Sequence, residues 1–212
     1  MLTSLLKRLA AGGTSTAATA GPLRLNLGCG TRKLAGYLNV DKIAACAPDA
    51  VVDIEELPWP WPDDSVEEVM MLHVLEHVGR DTDTYLGIIK ELWRVCRRGA
   101  RVHIAVPHPR HNHFLDDPTH VRAITADGLR MFSQRLNREW AEKGASNTPL
   151  GLYLGVDFEV EAVEYDVDEP WNGQLQRGEI TERELAEAES RYNNVVSQIR
   201  ITMRVEKSRG TQ

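Results

Sequence analysis

Short apolar runs bounded by turn-forming residues dominate the first half of the chain. "LRLNL" begins at Leu23, "YLNV" ends at Asp41, "AVVDI" ends near Asp53 and Ile54, and "VEEVMML" leads into "HVLEH". Runs of this length, apolar on both sides, predict buried parallel strands. A helix follows, because Tyr85, Ile88, Ile89, Leu92, Trp93 and Cys96 recur at the spacing of one helix face. Asp81 and Asp83 suit its start, and Arg97, Arg98 and Gly99 its end. "RVHIAV" then places Val102, Ile104 and Val106 on one side of a fifth strand. Strand, helix and strand in this order form a parallel crossover.

The second half has a different rhythm. Thr125 caps a predicted helix with Leu129, Phe132, Leu136 and Trp140 as its buried stripe. Phe158, Val160 and Ala162 alternate with Glu159 and Glu161, and Ile199, Ile201, Met203 and Val205 alternate with Arg200, Thr202 and Arg204. Strict alternation predicts strands with one wetter face, and the opposite charges suit pairing across them. "TERE" at 181–184 has the capping-box pattern and opens a charged helix. The predicted class is α/β: a Rossmann-like, doubly wound, mostly parallel sheet with a C-terminal antiparallel strand pair.

Composition narrows the function. The 212 residues suffice for one large domain. Residues 1–20 read as a flexible leader rich in Gly, Ser, Thr and Ala, with Leu2, Leu5, Leu6 and Leu9 offering a weak amphipathic face. Residues 21–212 read as the single domain. A net charge of −6 argues against broad phosphate neutralisation, so no nucleic-acid partner is expected. Cys29, Cys46 and Cys96 form no CxxC pair, which fits a reducing cytoplasm. No run approaches a transmembrane segment. Nothing in the pattern speaks to oligomeric state.

"LNLGCGTRK" carries the first chemical signal. Gly28 and Gly30 permit a sharp turn and close approach of a ligand to backbone amides. The dinucleotide fingerprint is incomplete, since Lys33 stands where its third glycine belongs, and Asp41 follows sooner than that fingerprint requires. A nicotinamide cofactor is therefore disfavoured. "LNLGCGTRKLAGYLNVD", "DIEELPWPWPDDSVEEVMMLHVLEH" and "ELWRVCRRGARVHIAVPHP" together resemble class I S-adenosylmethionine-dependent methyltransferases. The closer resemblance is to small bacterial members with the pattern LNLGCG, GYxNVD, HVLEH, DPTH, and it covers residues 23–130. It implies S-adenosylmethionine as cofactor. Gly28, Cys29 and Gly30 would line its methionine moiety, and Asp41 would accept from the ribose hydroxyls. Asp53 and the Ile54 backbone would face the adenine, and His73 would sit near the methionine end. Asn26 departs from the acidic residue frequent at its position in the wider superfamily. Trp59 and Trp61 could cover the adenine, form an interface patch, or pack in the core.

Two histidine-bearing stretches remain. In "HVLEH", His73, Glu76 and His77 could be metal ligands, or Glu76 and His77 could only hold the segment in place. The second reading is preferred because HExxH spacing is absent. "HPRHNHFLDDPTHVR" at 108–122 leaves the fifth strand at the rim of the predicted cleft, where an acceptor would be met. His108, His111, His113 and His120 are the candidate catalytic bases, with Asp117 or Asp116 as orienting carboxylate. Arg110 and Arg122 could hold an anionic acceptor. A polar pocket wall ranks first for this stretch, a base with its carboxylate second, and a divalent metal site last; no metal ligand is assigned. The expected activity is methyl transfer to an oxygen or nitrogen of a small molecule or glycan precursor. A protein or peptide methyltransferase and a non-catalytic cofactor-binding module are the alternatives.

Overall fold

The computed structural model describes residues 21–208, so the predicted leader at 1–20 and the last predicted domain residues, 209–212, lie outside the described residues. The sheet contains β1 (Leu23–Leu27), β2 (Leu38–Asp41), β3 (Ala50–Val51), β4 (Val66–Leu72), β5 (Cys96–Pro107), β6 (Phe158–Val167) and β7 (Val196–Val205). Their order is β3-β2-β1-β4-β5-β7-β6. The first five run parallel, while β7 pairs antiparallel with both β5 and β6. This is the predicted doubly wound sheet with its reversed C-terminal pair. The order turns back between β1 and β4, the switch point where such sheets open a crevice beyond the strand ends.

The apolar runs become strands because one face of the central sheet is fully covered, while Glu68, Met70 and His103 on the other face are only half-buried. Leu25, Leu27, Val66, Val69, Met71 and Val102 are fully buried. In β7, Ile199, Ile201, Met203 and Val205 turn into the core, while Arg200 and Arg204 face Glu164 and Glu159 in register. Arg204 bridges Glu161 at 2.6 Å and Arg200 reaches Glu164 at 3.4 Å, as the alternating charges predict.

Helix α1 (Thr82–Val95) is capped by Asp81, whose side chain accepts from Thr84 N at 2.9 Å. It ends earlier than predicted. Cys96 is already extended and opens β5, which takes in Arg97, Arg98 and Gly99. The single helix expected after Thr125 is two: α3 (Ala126–Arg130), capped by Thr125, and α4 (Gln134–Glu142), capped by the buried Ser133. Ser133 is extended and accepts from Leu136 N, so it starts a new helix. Short helices α2 (Asn112–Leu115), α5 (Leu150–Leu154) and α6 (Trp171–Gln176) carry no strong periodicity in sequence. The capping box of Thr181 and Glu184 opens α7 (Glu182–Arg191) as predicted. Among the described residues, no helix is long and apolar enough to cross a membrane.

Candidate active site

The connection from β1 to β2 contains no helix, only turns through residues 28–37. Side chains hold it instead. Buried Asn26 donates to Arg32 O and to Asn39 Oδ1, both at 2.9 Å. Asn39 Oδ1 also accepts from Leu34 N, and its Nδ2 donates to Asp49 Oδ2, both at 2.8 Å. Asn26 is thus committed to the loop rather than to a ligand. Gly28 has φ +62°, and a Cβ there would meet Val74 Cγ2 at 2.5 Å, so the position needs glycine on two counts. Gly30, at φ +47°, donates its N–H to Asp41 Oδ2 at 2.8 Å. Cys29 is buried beneath the turn, and Lys33 Nζ reaches its Sγ at 2.9 Å.

Asp41 ends β2. Its second oxygen accepts from Ile43 N at 2.8 Å. Each carboxylate oxygen has two acceptor sites, so capacity for further donors remains. Asp53 lies just beyond β3, accepts from Glu55 N at 3.0 Å, and shares Lys42 with Glu55 at 3.6 and 3.7 Å. Ile54 is buried, and its carbonyl accepts from Trp59 Nε1 at 2.9 Å. Trp59 and Trp61 pack edge to face at 5.7 Å in the core, so of their three readings the packing one holds. Gly28, Asp41, Asp53, Ile54, His73 and Val74 border one cleft of about 200 Å³ at the switch point.

His73 follows β4 in the left-handed region, φ +58°, a strained setting for a side-chain-bearing residue. Its backbone N–H is fixed to Ala105 O at 2.8 Å. Nδ1 lies 3.4 Å from Glu76 Oε1, and this carboxylate raises the imidazole pKa against the smaller effect of burial. His73 borders the cleft with Asp41, a small recess beside Gly28 and Gly30, and a second cleft of about 520 Å³. That second cleft is lined by Glu76, His77, His113, Asp117 and His120, with Asp166, Ser197 and Gln198 from β6 and β7.

The four candidate histidines divide in space. His113 and His120 border the second cleft; His108 and His111 do not. His111 uses both ring nitrogens: Nδ1 accepts from His113 N at 3.0 Å, capping α2, and Nε2 donates to Asp168 Oδ2 at 2.9 Å. His108 is buried, its Nδ1 accepts from Arg110 N at 3.2 Å, and burial lowers its pKa. Of the four candidate bases the structure thus brings two to the second cleft and leaves two away from it, for alternating directions in a proline-bounded loop are invisible to spacing. Asp117 accepts from Thr119 N at 2.8 Å and Thr119 Oγ1 at 2.6 Å, which lower its pKa, and its Oδ2 lies 3.8 Å from His120 Nε2. Both arginines are engaged elsewhere. Arg110 donates to the carbonyls of Glu189 and Ser190 at the end of α7. Arg122 donates to Gly79 O at 2.9 Å and stacks over Tyr85 at 4.2 Å.

A larger groove of about 860 Å³ runs along α4 and the outer strands, but its charges satisfy one another, as in Arg135–Glu159 at 2.8 Å. Sequence reasoning missed Asn39, Asp49, Asp166, Ser197 and Gln198. The one available signal was an asparagine between leucine and valine or leucine in two strands, where a buried amide requires a partner.

No family model and no curated protein matches the chain. Solved structures do. The crystal structure of an S-adenosylmethionine-dependent methyltransferase from Archaeoglobus fulgidus is 17% identical, with 96% of this chain and 92% of that chain covered and a TM-score of 0.59. One from Methanosarcina mazei is 15% identical over 88% of this chain and 93% of that chain, TM-score 0.51. The [4+2]-cyclase SpnF is 16% identical over 98% and 81%, TM-score 0.51. The seven-stranded sheet, its order and its switch-point cleft thus give this chain the Rossmann-like fold of the S-adenosylmethionine-dependent methyltransferases.

Proposed function

We propose that the chain is a methyltransferase that uses S-adenosylmethionine and modifies an oxygen or nitrogen of a small molecule or glycan precursor. The observation that carries this reading is the meeting of two clefts at His73, one ending in carboxylates and the other lined by imidazoles. The residues of the first cleft suit the cofactor. Gly28 borders this cleft, and with Gly30 it lines the adjoining recess, where a Cβ at Gly30 would meet open space. Asp41 and Asp53 offer anionic acceptors to hydroxyl and amino donors. Bound there, S-adenosylmethionine supplies a methyl group on a sulfonium, a strong leaving group, so positioning can supply much of the acceleration. In the second cleft, a neutral imidazole can take the proton that the acceptor sheds, and His113, exposed on the histidine loop, is placed for it. The free cysteines Cys29, Cys46 and Cys96 support a cytoplasmic location.

A second reading is a cofactor-holding protein that transfers no methyl group. Its support is that the same fold serves a protein described as a [4+2]-cyclase. Calorimetry with S-adenosylhomocysteine and NAD tests the cofactor: binding of the first and not the second is expected, and the converse would overturn the reading. Incubation with S-adenosylmethionine and oxygen, nitrogen and peptide acceptors then separates the two readings. Acceptor-dependent release of S-adenosylhomocysteine marks transfer; binding without turnover across the panel favours the second.

A further inference from the structure

We infer that Glu76, His77 and His120 form a binding site for a first-row divalent cation in the wall of the second cleft; its use in catalysis rests on the methyltransferase reading. One ligand atom from each of the three lies within 4.8 Å of the others. Ligand bonds of about 2.0–2.2 Å would bring such atoms roughly 3–3.5 Å apart around a tetrahedral ion, so small side-chain rotations close the set.

Glu76 supplies the second, independent observation. It is only 1% exposed, and neither carboxylate oxygen has a hydrogen-bond partner among the described residues. Its nearest basic neighbour, His73 Nδ1 at 3.4 Å, is beyond a well-formed hydrogen bond. A buried carboxylate that makes no hydrogen bond, with His73 as its one ionic contact among the described residues, is costly, and this one borders the cleft that His77 and His120 share.

The hydrogen bonds around the two imidazoles fix the tautomers that a cation requires. His120 Nδ1 faces Phe114 O at 2.8 Å. A carbonyl only accepts, so Nδ1 carries the proton and Nε2 presents a lone pair. His77 Nδ1 lies 2.9 Å from Thr119 Oγ1, whose own proton goes to Asp117 Oδ1 at 2.6 Å. Thr119 therefore accepts from His77, and Nε2 of His77 is again bare. Outer hydrogen bonds of this kind, to a carbonyl and to a carboxylate-linked hydroxyl, accompany metal-binding histidines generally. The two ligand-bearing segments are also fixed to each other, because Val121 N donates to Glu76 O at 2.8 Å.

Two imidazoles and one carboxylate suit zinc, manganese, iron or cobalt rather than the hard, oxygen-seeking calcium or magnesium. Three protein ligands leave a coordination position open toward the cleft. An acceptor oxygen held there would lose its proton more readily, with His113 placed to receive it. "HVLEH" then does more than hold its segment: Glu76 and His77 are ligands, completed by a histidine of the distant DPTH loop.

The test is calorimetric titration of the chelator-treated, untagged full chain with zinc, and of the same protein with cobalt followed by visible absorption. One ion per chain is expected. Glu76→Gln and His120→Ala should each weaken binding by about 100-fold or more, and Thr119→Val, which releases the His77 tautomer, by about 10–100-fold. His103→Gln, on β5 away from the cluster, should change nothing. Zinc should raise the unfolding temperature of the wild type but not that of Glu76→Gln. Absence of stoichiometric binding, or binding that survives both Glu76→Gln and His120→Ala, overturns the site. S-adenosylhomocysteine titrated against the same proteins keeps the two readings apart. Metal binding without it would sink the methyltransferase reading and leave the cation site standing; the reverse result would do the opposite.

Discussion

Asp41 offers the sharpest test of the cofactor cleft, because its carboxylate has two separable duties. It accepts from Gly30 N and Ile43 N, both at 2.8 Å, and under the proposed function it also accepts from ribose hydroxyls. Asp41→Ala removes all of these. Ile43 is 51% exposed, so water can replace that bond, while the Gly30 amide is half-buried. The cost to folding is therefore near the low end for a lost hydrogen bond, about 1 kcal/mol. The cost to cofactor binding is that of bonds to a charged group, about 1.5–3 kcal/mol, or a rise in Kd of about 10–150-fold. Because loop loosening alone could weaken binding, the assay pairs the variant with an altered ligand. Calorimetry is run with S-adenosylhomocysteine and with its analogue lacking the 2′-hydroxyl, against wild type and Asp41→Ala, as a four-cornered cycle. The wild type should discriminate between the ligands and the variant should not. If the variant discriminates as strongly as wild type, Asp41 serves the loop alone and the ribose assignment is wrong.

Further outcomes follow from the histidine loop and the glycine turn. His113→Ala should lower turnover by about 10²-fold or more while leaving S-adenosylhomocysteine affinity unchanged, whereas His111→Ala should act on stability by about 1–3 kcal/mol through the lost α2 cap and Asp168 pair. Steady-state kinetics beside denaturant unfolding separates the two, and equal kinetic effects would contradict the division of the loop. Burial lowers the folded-state pKa of His108, so the stability it contributes is present above the ordinary value of 6.5 and is lost as pH falls from there through the folded value. Thermal unfolding across that range should show a decline that His108→Gln reduces; an identical pH profile in the variant refutes it. Gly28→Ala combines a left-handed backbone, costing about 1–2 kcal/mol, with a clash against Val74. Urea unfolding at an unchanged midpoint would show that the turn is not under this constraint.

The sheet was legible wherever burial imposed a pattern. β1, β4 and β5 carry apolar residues where their inner face is buried, and β7 alternates because one face is wet; β6 keeps the predicted alternation only to Val160, because a bulge at Glu161 leaves Ala162 exposed and turns Val163 to the core. β3 is only Ala50–Val51, since an edge position needs little pairing, so Asp53 and Ile54 stand beyond the strand rather than within it. Trp59 and Trp61 look alike in sequence as core, cover or contact, and only their burial against each other in the core distinguishes these. The histidine loop was legible as a rim segment but not by residue, because side-chain direction in a turn depends on distant partners such as Asp168 and Glu189. Glu76 was visible as a possible ligand in "HVLEH", but its burial and its nearness to His120 were not. A lone carboxylate after "VL" has the same letters whether it faces water or the interior, and its meaning comes from residues brought in by another loop.

The helix-free connection between β1 and β2 has a consequence for motion. Its order derives from Asn26, Asn39 and Asp49, which belong to or abut the central strands, so the turn has no stability separate from theirs. An ordinary loop frays at little cost and exchanges its amides quickly. Here the Leu34 amide is held by an Asn39 oxygen buried in the sheet, and it can be released only when that amide moves. Hydrogen exchange at Leu34 should accordingly keep pace with the opening of β2 rather than with surface turns, giving a glycine loop with the exchange behaviour of a strand.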